Sequence, residues 1–171
     1  ESSIQQNGDE NFADWNVQGN NNQFGFIQNG DMNRAGIAEL NGDNNETAFF
    51  QSGNSNIITL ANITNDNIDL GISQTGDANT VTASTLKGDN NALQLLQYGS
   101  NSINLLVDGA NNTLVGQQGS SQERGLNNLM SVTIRGENNT TDYDRANSSD
   151  NRLAQLGNDN VLSLQIDGSE N

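Results

Sequence analysis

Polar and apolar residues alternate along this chain in short runs, each stopped by a glycine. Counting back two, four and six residues from Gly30 gives Gln28, Phe26 and Phe24, and from Gly53 it gives Gln51, Phe49 and Thr47. The same count from Gly76 gives Gln74, Ile72 and Leu70, and from Gly99 it gives Gln97, Leu95 and Leu93. The residues between them are mostly Asn, Asp, Gln, Ser, Thr or Gly. Period two places one set of side chains on one face, the pattern of a half-buried strand. The runs between turns are too short for a capped helix and suit strands.

Two series of such runs interleave. One carries Gln-x-Gly, at Gln6-Asn7-Gly8, Gln28-Asn29-Gly30, Gln51-Ser52-Gly53, Gln74-Thr75-Gly76, Gln97-Tyr98-Gly99, Gln117-Gln118-Gly119 and Gln155-Leu156-Gly157. The other has an apolar residue in the Gln place, as in Val17-Gln18-Gly19, Leu40-Asn41-Gly42, Leu86-Lys87-Gly88 and Ile134-Arg135-Gly136. Ile63-Thr64-Asn65 fills its one gap; Asn tolerates φ > 0 best among the non-glycine residues, so Asn65 is expected to turn as glycine does. An extra residue near 37–40 and near 81–86 predicts bulges.

The repeating unit is therefore strand–turn–strand–turn, and one unit cannot close a core alone. Stacking equivalent positions about 4.8 Å apart would bury a continuous one. The predicted fold is all-β: a two-sheet parallel β-solenoid of about seven strand–turn–strand rungs, forming a single repeat domain over 1–171. Spacing irregularities predict loop insertions near 120–126 and 140–150. The second holds Asp142, Tyr143, Asp144 and Arg145, and a tolerated insertion is favoured over a functional one.

Composition changes meaning in this light. Of 171 residues, 32 are Asn and 14 Gln, and only 32% are hydrophobic, which without the repeat would suggest a disordered polar tract. In register, the inward Gln6, Gln28, Gln51, Gln74, Gln97, Gln117 and Gln155 would form an amide ladder along the stack. Asn11, Asn33, Asn56, Asn79 and Asn160 would form a second in one row of turns, and Asn22, Asn45, Asn91, Asn112, Asn139 and Asn171 a third in the other. Gly8, Gly30, Gly53, Gly76, Gly99, Gly119 and Gly157 are the expected turn glycines.

The chain has no His and no Cys, which removes the imidazole base, the thiolate nucleophile and the usual zinc ligands. No catalytic, cofactor or metal residues are assigned, and no enzyme activity is expected. A net charge of −15 argues against nucleic acid or an anionic membrane as partner, and no membrane insertion is expected. Gly-Asp recurs at Gly8-Asp9, Gly30-Asp31, Gly42-Asp43, Gly76-Asp77 and Gly88-Asp89. These carboxylates suit calcium in principle, but the spacing departs from the nine-residue calcium-binding repeat. The simpler reading makes them solvated turn residues whose repulsion slows aggregation.

Segments such as Ile27-Gln28-Asn29-Gly30-Asp31-Met32-Asn33-Arg34-Ala35 and Ile72-Ser73-Gln74-Thr75-Gly76-Asp77-Ala78-Asn79 resemble curlin repeats, with their Gln-x-Gly-x-x-Asn-x-Ala core. The resemblance runs along nearly the whole chain. It implies a subunit of an extracellular, curli-like functional-amyloid fibre of biofilm matrix and adhesion. Its implied partners are further copies of itself, a nucleator subunit and outer-membrane secretion machinery. The chain departs from the family where the second turns carry an apolar residue instead of Gln. The resemblance implies a secreted chain, and with no signal peptide visible the expectation is its mature form; with no proline and no visible polar cap, its open edges are expected to stack end to end into cross-β fibres. The alternative is a monomeric β-solenoid adhesin binding calcium or glycan through its turn carboxylates. A carboxylate-based glycan hydrolase is a more distant third.

Overall fold

The computed structural model describes residues 2–122, 125–140, 153–155 and 157–168. Thirteen strands follow one another: β1 (Ser3–Asn7), β2 (Phe12–Gln18), β3 (Gln23–Asn29), β4 (Arg34–Asn41), β5 (Glu46–Ser52), β6 (Ile57–Thr64) and β7 (Asp69–Thr75). Then come β8 (Thr80–Lys87), β9 (Ala92–Asp108), β10 (Thr113–Gln118), β11 (Gly125–Arg135), β12 (Leu153–Gln155) and β13 (Val161–Asp167). Every pairing is parallel, and each strand pairs with its equivalent one turn away, as in Gln28↔Gln51 and Gln51↔Gln74. The result is an all-β parallel solenoid of about six turns. Seven stacked passes are separated by six intervals, which reconciles this with the repeat count.

The odd-numbered strands up to β7, the first half of β9, β10 and β12 line one wall. The even-numbered strands to β8, the second half of β9, β11 and β13 line the other. The walls are not separate sheets. β9 runs for 17 residues and rounds the corner as one strand, joining both walls into one hydrogen-bonded path.

The core is columnar because parallel stacking in register brings like positions together. On the first wall Phe26, Phe49, Ile72 and Leu95 lie over one another, and Phe26 stacks on Phe49 with ring centroids 4.7 Å apart. On the second, Leu40, Ile63, Leu86, Val107 and Ile134 form a column with at most 1% exposure. Burying each such side chain is worth about 1.5–3 kcal/mol, and the narrow interior leaves no room for polar residues without partners. Thr47 breaks this rule: its buried hydroxyl has no hydrogen-bond partner.

The expected extra residues are present, and so is one that the alternation had not marked. The register shifts between Trp15 and Val17 on passing from β2 to β4, and between Ala83 and Thr85 on passing from β8 to β9. Between them β6 carries the same eight-residue length as β4 and β8, so three widened strands stack and the register holds from one to the next. Residues 141–150, with Asp142, Tyr143, Asp144 and Arg145, lie outside the described residues.

Candidate functional site

The residues singled out by the repeat converge on the corners of the solenoid, where one wall gives way to the other. There Gln28 Nε2 donates to Gln51 Oε1 at 2.8 Å, Gln51 to Gln74 at 2.9 Å and Gln74 to Gln97 at 2.9 Å. Gln6 begins the series by donating to Gln28 at 2.6 Å. These three amide nitrogens each also donate a second hydrogen to the first residue of the preceding strand, on the other wall: Gln28 to the Phe12 carbonyl, Gln51 to Arg34, Gln74 to Ile57. That second bond explains why Gln stands two residues before the turn glycine. From that position the amide reaches both its neighbour in the stack and the facing wall.

One expected member of this column is misplaced. Gln97 donates to Gln118, and Gln118 donates to Gln155, at 3.0 and 2.9 Å. Gln117 points elsewhere and donates to the Gly119 carbonyl. The inward residues of β10 are accordingly Leu114, Gly116 and Gln118, paired with Leu93, Leu95 and Gln97, not Thr113, Val115 and Gln117. Gly116 is small for a reason: a Cβ there would meet Leu95 at 3.2 Å and the Met130 sulfur at 3.3 Å.

The turns are built by a second interlocked set. Asn33, Asn56 and Asn79 each donate a backbone N–H to the side-chain oxygen of the preceding Asn, beginning at Asn11. Their side-chain nitrogens donate to the carbonyl of the glycine one turn on: Asn11 to Gly30, Asn33 to Gly53, Asn56 to Gly76. Asn101 and Asn128 continue the series to Asn160; they were missed because Asn101 follows its glycine by two residues and Asn128 follows Gly125, not Gly119. In the other row Asn22, Asn45, Asn91, Asn112 and Asn139 act alike, interrupted by Ile68. Asn171 lies outside the described residues.

Glycine is required in these corners on two counts. Gly53 has φ +116°, and a Cβ on it would stand 2.1 Å from the Gly76 carbonyl oxygen. The glycine column runs Gly30, Gly53, Gly76, Gly99, then Gly125 and Gly157, because Gly99 faces the Gly125 carbonyl. Gly119 turns with φ +69° outside that column. The chain is back in register at Gly125, paired with Gly99, so the excursion expected over 120–126 ends two residues early. Two residues after Gly30, Gly53 and Gly76 lies another left-handed residue that the sequence did not announce: Met32, Ser55 and Ala78 all have φ near 57°.

Asn65, expected to turn as glycine does, does not take φ > 0. Its backbone follows the column, since its carbonyl accepts the Asn45 amide at 3.0 Å. Its own amide is buried and unpartnered at both ends.

The turn carboxylates are exposed but not merely solvated. Asp31 Oδ1 accepts the Asp9 backbone N–H, Asp77 accepts that of Asn54, and Asp43, Asp66 and Asp89 accept those of Asn20, Asp43 and Asp66. Each ties one turn to the next. A side-chain oxygen in this position also recurs as Asn54 and Asn158, which is why Asp and Asn interchange there. Among the described residues no group of three or more His, Cys, Asp or Glu is placed to hold a metal ion.

The first and last described turns differ from the interior. Among the described residues β1, β2, β12 and β13 pair along one edge only. Ala13, Trp15 and Val17 on β2, and Leu162, Leu164 and Ile166 on β13, are half-buried where their interior equivalents are fully buried. The arrangement offers stacking surfaces and internal ladders, and it defines the protein as a parallel β-solenoid with ladder-filled corners. Comparison with known proteins adds no relative: no family model, no curated protein and no solved structure gives a significant match.

Proposed function

We propose that this chain is the structural subunit of a self-assembling extracellular fibre, in which copies add end to end so that one solenoid continues into the next. The observation that carries the reading is the match between the two edges. Carried one turn beyond β13, the register sets Val161 over Phe12, Leu162 over Ala13 and Ile166 over Val17. On the other wall it sets Gln155 over Gln6 and Gly157 over Gly8. These positions would then continue with their own kind of residue: apolar on apolar, amide on amide, glycine on glycine. Such a head-to-tail contact does not close, so it gives a filament instead of a ring or pair.

Two further features support the reading. An open parallel edge templates another strand, and the chain contains no proline to block it. The resemblance of the repeats to curlins supports the place and company: secretion through the outer membrane, nucleation by a second subunit, and a role in biofilm matrix and adhesion. The turn carboxylates of Asp31, Asp43, Asp66, Asp77 and Asp89 each spend an oxygen on the neighbouring turn, which gives the calcium-binding adhesin no specific support.

The test is seeded growth. Purified protein should form unbranched filaments after a lag, preformed fragments should abolish the lag, and aligned filaments should diffract at about 4.8 Å along their axis. A chain that stays monomeric at high concentration, seeded and unseeded, contradicts the proposal. With a net charge of −15, the lag should shorten as salt is raised from about 10 mM to about 150 mM, where the screening length falls from about 30 to about 8 Å.

A further inference from the structure

The outer face of the first wall carries a feature that end-to-end stacking does not use. Gly25 and Gly71 stand in the interiors of β3 and β7, where glycine weakens a strand by about 0.5–1 kcal/mol relative to alanine. Neither has the left-handed φ that would demand glycine, and a Cβ added to either meets nothing within 4 Å. The fold itself therefore has no need of them. With Ala48 between them in register, they floor an open trough of about 320 Å³. Two residues further along the strands Ile27, Phe50, Ser73 and Leu96 form its bank, apolar except at Ser73, and Ile27 and Phe50 are 38% and 37% exposed. Glycine in a strand commonly marks a place where another backbone approaches closely.

The geometry points to a second copy of this chain as the occupant, packed face to face through the same wall with the two solenoid axes parallel. Because trough and bank are neighbouring columns, a two-fold axis along the solenoid lays the Ile27–Phe50 bank of each copy into the other's trough. Charge selects the same arrangement. The rim beside the trough carries Glu46 and Asp69, and the rim beyond the bank carries Ser52 and Thr75. The parallel arrangement sets Glu46 over Ser52 and Asp69 over Thr75. A two-fold axis along the strands would set acid on acid. The opposite wall does not compete, since one of its troughs is bordered by Asp14 and Arg34 and the other by Thr82, Ser84, Asn104, Ser131 and Thr133.

Size decides when this pairing occurs. Four turns of seven-residue strands present on the order of 450 Å² per copy at usual strand spacings, about half of the roughly 800 Å² per partner of a stable complex. Single copies should stay apart, whereas stacked copies add the same area per subunit and hold. The inference thus rests on the filament reading and extends it to paired filaments.

Mass per length by scanning transmission electron microscopy reads the pairing directly. Wild-type filaments should show two subunits per subunit rise, and filaments of Gly71→Val and of Phe50→Lys should show one, a twofold drop. Thr82→Lys, exposed on the opposite wall, should leave the value at two. A thermal melt of Gly71→Val monomer at or above the wild-type midpoint excludes misfolding as the cause. Wild-type filaments with one subunit per rise, or both trough variants still at two, overturn the pairing while leaving the filament reading intact. Absence of wild-type filaments overturns both.

Discussion

The turns between residues 23 and 98 and those between 113 and 168 build the same columns from different spacings. In the first region the Gln partners lie 23 residues apart, at every step from Gln28 to Gln97. In the second they lie 21 and then 37 apart, at Gln118 and Gln155. The Asn series behaves alike, with steps of 23 giving way to 27 and 32. What stays constant is the bond and not the interval. A rung is defined by an amide that finds its neighbour's amide, and loop length adjusts around it, because extending a loop costs only slowly growing entropy, whereas an unpaired buried amide costs about 1–3 kcal/mol.

The largest effect that sharpens this contrast is expected at the glycines. Gly53→Ala combines an unfavourable φ with a Cβ 2.1 Å from a backbone oxygen that has no room to move, and should lose about 3 kcal/mol or more. Gly119→Asn, at a left-handed turn outside the column, should lose less than about 1 kcal/mol. Urea denaturation of the monomer checks both, and equal losses would mean that Gly119 belongs to the column.

Next come the two adjacent glutamines. Gln118→Leu leaves Gln155 Oε1 and the Ser102 carbonyl without the Gln118 donor and breaks the ladder bond from Gln97, and should cost about 2–3 kcal/mol. Gln117→Leu removes the bond to the nearby Gly119 carbonyl but leaves the ladder intact and should cost less, about 1–1.5 kcal/mol. The reverse order would restore the assignment obtained by counting back from Gly119.

The smallest effect has the opposite sign. Asn65→Gly removes two buried, unpartnered polar atoms and restores the column residue. It should raise stability by about 1 kcal/mol after the added chain entropy of glycine is deducted. A loss of stability would show that the Asn65 amide has a partner, such as a buried water.

These differences show what could be read from the residues and what could not. Six of the Gln positions, Gln6 to Gln97 and Gln155, follow from period two anchored on glycine. That anchor fails at Gln117 because Gly119 is not a column glycine. Counting forward from Asn112 would have found Leu114 and Gln118, at the offsets that link Asn91 to Leu93 and Gln97. The left-handed residues at Met32 and Ala78 were invisible, since neither residue type favours that conformation; the Gly and Asn on either side impose it. The Asp-to-backbone bonds were hidden for another reason: a solvated carboxylate and one capping its neighbour's N–H have the same place in the sequence. The trough at Gly25 and Gly71 was not legible, because period two places these glycines on outward strand positions without showing that the space beside them is open.

The central claim, that copies continue one another's columns, is tested most directly at the junction. The chain has no cysteine, so Phe12→Cys combined with Val161→Cys introduces the only two thiols, at exposed positions on the first and last strands of the second wall. Filaments of this variant, treated with a short bismaleimide and dissolved in detergent, should run as a ladder of covalent multiples, and each single variant should remain monomeric. Filaments of the double variant that dissolve to monomers, or single variants that yield dimers, would contradict head-to-tail continuation.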